Sequence, residues 1–322
     1  MLQYFNKMYP RKLHFGESRL LYNSETMISL VSLGSNHDGY VHCCLCTFTV
    51  GQLVHTLPEG EAVLGLTLLA GEIYLLRITR TQRDQIEVYD VNTYHFQRHL
   101  TVPSICGFSD MISCEYHRCV YIDDHFLECV HRLDVRGAVT WWAVNDAPGG
   151  LSVNAAHNVL VTCGRVHKIK EFSSYGVGLR EFTLPFDFIH PLHAIQTRSG
   201  HFIVSHGYQG DLINHVFMMS ADGHIVHSHG GKAGSHTGQY RVPCRLAVDD
   251  NECVFVADLN NRRVTLLSPT LEYVGLAVSR DQLKWHPGRL CYDRERRKLY
   301  VADDEYFKDD DWTAGRVVVF NV

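Results

Sequence analysis

The 322-residue sequence predicts an all-β protein, a six-bladed β-propeller whose four-stranded antiparallel blades form a ring closed by an N-terminal strand. The first observation is a repeat, because residues 242–258 and 287–303 share one pattern: a proline, a short apolar strand, an aspartate turn, a second apolar strand and Val-Ala-Asp. Each copy continues into a third strand, at 263–267 and 316–320. A repeat of this size made only of strands and turns is typical of a propeller blade.

The second observation is the recurrence of weaker copies upstream, at the roughly 40–50-residue spacing of propeller blades. Each copy has an apolar first strand, a second strand and a third strand, with turn residues such as Asp222-Gly223 and Ser268-Pro269 between them. Six units are therefore predicted. Their second strands end at Arg77, Asp123, Cys163, His206, Asp258 and Asp303.

The third observation concerns closure of the ring. The last unit ends after its third strand, and a candidate for its missing outer strand lies within residues 46–57. Because a ring must cover the edges of its sheets, we expect this segment to pair with the last blade. We place the propeller at residues 41–322 and expect residues 1–40 to form an N-terminal extension, a flexible leader.

The sequence resembles the NHL-repeat family of six-bladed propellers, as found in tripartite-motif/NHL proteins. The resemblance is carried by Pro243, by the tripeptide Ala-Val-Asp at 247–249 and by the segments 254–258 and 260–264, with a fair second match at 287–320. Backbone groups of neighbouring blades are the partners that we expect for Asp258 and Arg263. The resemblance implies a recognition module, since family members often carry a ubiquitin-ligase RING beside the propeller and some bind RNA on one face.

Composition narrows the class of protein. A hydrophobic content of 45% with 20% charged residues is typical of a globular chain and excludes disorder. The formal net charge of −5 argues against broad polyanion binding, so no DNA partner is expected. We find no apolar run of about 20 residues and no signal-peptide pattern, which predicts a cytoplasmic protein without a membrane partner.

A candidate binding face is formed by the loops that precede each first strand and follow each second strand, since propeller function usually lies on loops. Arginine and aromatic side chains, which are enriched at binding surfaces, recur in these loops. We expect no catalytic residue, no metal ligand and no cofactor. The predicted partner-binding residues are Arg165, Lys168, Tyr208, Arg241, Arg245, Arg262, Trp285 and Arg289.

Three functions remain open. The leading expectation is a non-catalytic scaffold that binds a protein or peptide on this face, with the resemblance implying substrate recognition for a ubiquitin-ligase system. The second is single-stranded RNA binding, with arginines on phosphates and aromatics on bases, although acidic residues interrupt the basic face: Asp123, Asp124, Asp304 and Glu305. The third is a metal-dependent lyase or hydrolase. A propeller lyase related to this family holds zinc with channel histidines, and His193 and His206 are expected to line the channel here.

Overall fold

The computed structural model describes residues 21–23, 26–31, 44–48, 50–77, 85–101, 107, 110–184, 190–208, 210–306 and 312–322. The chain divides into two compact units, Met1–Thr49 and Val50–Val322. In the first unit, β1 (Leu21–Asn23), β2 (Thr26–Val31) and β3 (Cys44–Phe48) form one antiparallel sheet in that order. Most of the predicted leader at 1–40 lies outside the described residues, and its boundary with the propeller stays a prediction.

The second unit consists of six four-stranded antiparallel sheets, which confirms the predicted six-bladed propeller. Three short 3₁₀ turns, Gly164–Val166, Leu259–Asn261 and Arg280–Gln282, are the helical elements of the part of the chain that the structure describes. After β4 (Gln52–Thr56), blade 1 contains β5 (Val63–Leu69), β6 (Glu72–Arg77), β7 (Gln85–Asp90) and β8 (Phe96–Thr101), and blade 2 contains β9 (Met111–Cys114), β10 (Cys119–Asp124), β11 (Cys129–Asp134) and β12 (Val139–Ala143). Blade 3 contains β13 (Gly150–Val153), β14 (Val159–Cys163), β15 (Lys168–Phe172) and β16 (Gly178–Thr183), and blade 4 contains β17 (Pro191–Gln196), β18 (Phe202–His206), β19 (Ile213–Met219) and β20 (Ile225–Lys232). Blade 5 contains β21 (Pro243–Val248), β22 (Val254–Asp258), β23 (Arg263–Leu267) and β24 (Tyr273–Val278), and blade 6 contains β25 (His286–Asp293), β26 (Lys298–Tyr306) and β27 (Trp312–Asn321).

The first strands of the blades form the inner wall of the ring. They contact one another in a closed cycle, β5 to β9, β13, β17, β21, β25 and back to β5. Apolar side chains of the second and third strands are buried between adjacent blades; Val120 and Ile122 of blade 2, for example, pack against Leu76 and Ile86 of blade 1. Burial of these faces stabilises the ring, since each fully buried aliphatic side chain contributes about 1.5–3 kcal/mol.

The predicted closure is confirmed, because β4 pairs with β27 as the outer strand of blade 6. The closing strand is shorter than the candidate segment 46–57, since Cys44–Phe48 belongs to the sheet of the first unit. Leu57, directly after β4, is 1% exposed and packs among Val63, Val317 and Val319. The N-terminal strand is therefore joined to the ring by backbone pairing and by an apolar anchor.

A β-bulge recurs in the first strands of four blades. The register shifts at Val63/Gly65, Pro191/His193, Pro243/Arg245 and Pro287/Arg289. A bulge re-aims the side chain that follows it, and here those side chains stand at one level of the inner wall. We call the six equivalent residues, each opposite the residue before the end predicted from sequence for its second strand (Arg77, Asp123, Cys163, His206, Asp258 and Asp303), the axial positions: Gly65, Met111, Gly150, His193, Arg245 and Arg289.

The aspartates that end the second strands have structural roles, as expected for Asp258. Its carboxylate accepts hydrogen bonds from the backbone N–H of Arg241 at 2.7 Å and from Nε of Arg263 at 2.8 Å. Asp303 repeats the arrangement with Trp285 N and with Arg316 Nε. Within the described residues, we find no helix with the length and apolar character needed to cross a membrane.

Candidate functional site: an axial cavity

A cavity of about 810 Å³ lies on the ring axis and is lined by the first strands of all six blades. It extends from the axial positions to the turns between first and second strands, such as Asn154–His157. Apart from Asp110, its lining contains no described residue of the loops at the opposite face. The cavity therefore opens on one face of the ring and ends near the axial arginines.

Two arginines and one aspartate occupy the inner end of the cavity. Nε of Arg245 lies 3.5 Å from Oδ2 of Asp110, and Nε of Arg289 lies 3.7 Å from Oδ1. The Asp110 carboxylate also accepts hydrogen bonds from the backbone N–H of Met111 at 3.0 Å and of Leu151 at 2.9 Å. The cluster thus combines two guanidinium groups with the Asp110 carboxylate, and the buried Asp304 carboxylate also lies close enough to Arg289 to act on its pKa.

Backbone oxygens outside their own blades hold the arginines in place. Arg245 of blade 5 donates to Gly149 O at 3.1 Å, beside blade 3, and Nε of Arg289 of blade 6 donates to Leu64 O at 2.7 Å in blade 1. Burial and the neighbouring Arg245 lower the pKa of Arg289 to about 10, so that the Arg289 guanidinium stays charged at neutral pH. Positions 245 and 289 therefore present fixed positive charge inside the ring, a setting that favours a bound anion.

His193 is an axial residue whose two nitrogens are already engaged. Nε2 lies 2.9 Å from Leu151 O, so it carries the proton and donates it, while Nδ1 accepts from Leu246 N at 3.3 Å. Burial lowers the pKa of His193 to about 4. The imidazole is therefore neutral and braces blades 3, 4 and 5, and it has no free lone pair for a metal ion.

The second predicted channel histidine does not join His193. His206 lies at the end of β18 with its ring 5.0 Å from that of His215, and burial lowers its pKa to about 4. Among the described residues, no three His, Cys, Asp or Glu side chains are arranged to hold a metal ion. The described part of the chain therefore does not fit the metal centre of the third function.

The structure does not gather the predicted partner-binding residues into one surface. Arg245 and Arg289 come together on the axis, buried or nearly so, rather than on the loops. Arg262 is occupied by the loop before blade 6, donating to the carbonyl oxygens of Leu283, Lys284 and Trp285.

The remaining predicted residues are separate from this axial pair. Lys168 forms an ion pair with Glu181 at 2.7 Å, and the Trp285 ring lies 4.0 Å below Nζ of Lys284. The other three, on the loops of blades 3 to 5, are exposed: Arg165, Tyr208 and Arg241.

Three of the four acidic residues expected to interrupt a basic face are instead buried, while Glu305 is half-buried. Asp123, Asp124 and Asp304 are each at most 2% exposed. Their carboxylates accept backbone hydrogen bonds, as from Val63 N to Asp304 at 2.9 Å and from Asp110 N to Asp123 at 2.6 Å. Burial raises the pKa of Asp304 to about 7. These groups therefore stabilise loops and do not shape a surface potential.

Sequence reasoning missed Asp110 and missed the face on which the cavity opens. The available signal was a charged or imidazole side chain inside an otherwise apolar first strand, at His193, Arg245 and Arg289. Such a residue, at the same position in three consecutive blades, indicates a polar axis and not a loop surface.

Comparison with known proteins gives matches of structure alone. No family model matches the sequence, and no curated protein matches it. The fold is similar to that of a streptogramin B lyase, with 10% identity and a TM-score of 0.57 over 83% of this chain and 98% of that chain. It is also similar to a virginiamycin B lyase from Staphylococcus aureus, with 9% identity and a TM-score of 0.57 over 82% of this chain and 98% of that chain. A PQQ-bound aldose sugar dehydrogenase from Streptomyces coelicolor has 14% identity and a TM-score of 0.58 over 84% of this chain and 98% of that chain.

These comparisons correct the leading functional expectation. The similar propellers are enzymes by name, which favours the lyase or hydrolase alternative over a non-catalytic recognition scaffold. At identities of 9% to 14%, structural similarity to these proteins shows a shared fold only. The NHL resemblance, the cytoplasmic location, the protein or RNA partner and the absence of DNA and membrane partners stay predictions.

Proposed function

We propose that the protein is an enzyme of the lyase or hydrolase class that takes a small anionic substrate in the axial cavity. The observation that carries this proposal is the pair Arg245 and Arg289 at the inner end of a cavity of about 810 Å³. Small-molecule sites are concave, mostly apolar and supplied with a few converging polar groups. Leu66, Ile195 and Leu246 supply apolar wall here.

The two arginines bind the anionic group of the substrate or the negative charge that develops on its oxygen. Guanidinium donors that are already in place stabilise such charge strongly where water is scarce. Asp110 lines the cavity beside both guanidinium groups, so we assign proton transfer to it. Because the described residues offer no metal-ligand set, we assign charge stabilisation to the arginines.

The test measures turnover by the purified protein on a panel of small carboxylates, esters and lactones, followed as reaction heat in a calorimeter. We expect at least one saturable reaction, with kcat/KM reduced by about 100-fold or more in Arg245→Gln and in Arg289→Gln. Arg241→Gln is the matched control, because Arg241 is an exposed arginine of the same blade outside the cavity.

Thermal unfolding identifies variants that fail to fold. If one arginine variant is unstable, Arg245→Lys keeps the charge but loses the planar fork of donors, and it should retain only part of the activity. Full turnover by folded Arg245→Gln, or no turnover of any compound by the wild type, would contradict the proposal.

A further inference from the structure

A cluster of aromatic rings lies beside the open end of the axial cavity. We call Tyr116, His117, His157 and Tyr175 the aromatic platform. The rings of Tyr116 and His157 are stacked, 4.2 Å apart and 4° from parallel, and His117 stands edge-on to His157 and Tyr175 at 6.0 Å. Tyr116 is 71% exposed and Tyr175 is 72% exposed. His157 covers one face of Tyr116 and the Arg132 guanidinium lies over one face of Tyr175, so each ring offers its other face to a ligand.

The platform is built on tight hairpin turns. Oδ1 of Asn154 accepts hydrogen bonds from the backbone N–H of Ala156 and Asn158, which fixes the turn that carries His157. In the turn of Tyr175, Oγ of Ser173 accepts from Val177 N at 3.1 Å. Because these turns are held before any ligand arrives, a ligand that stacks on them loses little binding energy to loop ordering.

The distance from the platform to the arginines sets the length of the ligand. His157 and Glu115, the neighbour of Tyr116, line the cavity at its open end. His193, at the arginine level, and Thr197, near the open end, are four residues apart and both line the cavity. At a rise of about 3.3 Å per strand residue this separation is about 13 Å. A ligand that touches both ends is therefore extended and contains several rings.

The cavity wall between the two ends is polar and uncharged at several points. Ser152, Asn154 and Gln196 line it, and the arginines at the open end lie near carboxylates, as Arg296 does with Asp293 at 3.1 Å. Ser152 Oγ, which donates to Ala194 O, and Gln196 Oε1, which accepts from Asn154, each keep a lone pair that can accept a hydrogen bond from a hydroxyl-bearing ring.

We propose that the substrate is an acidic oligosaccharide, with its sugar rings on Tyr116 and Tyr175 and a carboxylate on Arg245 and Arg289. One face of a sugar ring presents C–H groups, which pack on an aromatic ring, while its edge hydroxyls meet polar groups such as the nearby imidazoles. This inference rests on the proposed function and names the substrate class of the same site.

The experiment compares trigalacturonate, galacturonate and the neutral maltotriose by titration calorimetry. We expect trigalacturonate to bind at least tenfold more tightly than galacturonate and than maltotriose. Tyr116→Ala and Tyr175→Ala should each weaken the binding of trigalacturonate by about tenfold and leave the affinity for galacturonate unchanged. Trp141→Ala is the control, since Trp141 is 66% exposed on the outer strand of blade 2 and does not line the cavity.

The outcomes separate this inference from the proposed function. If galacturonate binds through Arg245 but trigalacturonate binds no more tightly, or if maltotriose binds equally well, the acidic oligosaccharide is excluded and the enzyme proposal stands. Binding of ADP through Tyr116, without binding of trigalacturonate, overturns the inference in favour of a nucleotide. If no probe binds and Arg245→Gln lacks any effect on turnover, both proposals fail.

Discussion

His193 links protonation to the stability of the ring. Its folded-state pKa of about 4 lies below the ordinary value of 6.5, mainly because of burial. Between these values the unfolded chain binds a proton that the folded chain does not. The free energy of unfolding contributed by this residue is therefore fully present above about pH 6.5 and is lost as the pH falls towards 4.

This linkage gives a measurable difference between variants. We expect His193 to account for about 2 kcal/mol of the stability that the wild type loses between pH 7.5 and pH 5.0, measured by urea unfolding. His193→Gln, which keeps a donor and an acceptor but does not titrate, should show a loss that is smaller by this amount. His224→Gln, on a side chain that is 81% exposed, should behave like the wild type. An equal loss in His193→Gln would refute the role of burial.

Gly150 is the axial residue that faces His193 from the neighbouring blade. A Cβ at Gly150 would lie 2.5 Å from Leu192 O and 3.1 Å from Cδ2 of His193, whereas a Cβ at Gly149 would lie 3.8 Å from its nearest neighbour, Thr162 O. We therefore expect Gly150→Ala to lower the free energy of unfolding by about 1–3 kcal/mol. Gly149→Ala should change it much less. Similar unfolding midpoints for the two variants in urea would contradict this packing.

At the scale of the element, the closing strand β4 gives the sharpest test. Leu57 is 1% exposed in the cluster between blades 6 and 1, while Leu53, on the same segment, is 50% exposed. We expect Leu57→Ala to cost about 2–5 kcal/mol of unfolding free energy, because it leaves a cavity at the ring closure. Leu53→Ala should cost little. Chemical denaturation of both variants checks the prediction, and equal midpoints would show that closure depends on backbone pairing alone.

The elements were predictable because strand periodicity and turn chemistry are local. The second strands that end at Asp258 and Asp303, and the weaker copies that end at Arg77 and His206, all pair as the sequence register requires. The length of the closing strand was not predictable from residues 46–57. Apolar residues occur on both sides of Gly51, and only tertiary pairing separates Cys44–Phe48 from Gln52–Thr56.

At the scale of the whole molecule, Asp110 joins blades on both sides of the ring. It lies beside Arg245 and Arg289 and accepts a backbone hydrogen bond from Leu151. Removal of one partner from a buried charge cluster typically costs about 3–5 kcal/mol, so we expect a loss of this order in Asp110→Asn. In a double-mutant cycle with Arg245→Gln, the double variant should lose less unfolding free energy than the sum of the two single variants, by about 1 kcal/mol or more. Additive losses in calorimetric unfolding would show that the pair is not coupled.

The axial site itself was only partly predictable. The sequence singled out Arg245, Arg289 and His193, but it placed the arginines on a loop face. Their direction depends on the bulges that precede them and on the carbonyl oxygens of Gly149 and Leu64, from other blades, that accept from their guanidinium groups. Both are properties of six assembled blades, and no single segment contains them.

The six axial positions have a further consequence. The backbone repeats around the axis, but the bulky polar side chains stand on three consecutive blades, at His193, Arg245 and Arg289, and the aromatic platform stands on blades 2 and 3. The near-sixfold symmetry of the chain is therefore absent from the surface that a ligand meets. A molecule bound between the two sides has one preferred rotation about the axis and one preferred end-to-end direction. A site with those two properties distinguishes a chiral compound from its mirror image, so we expect only one enantiomer of a substrate to react.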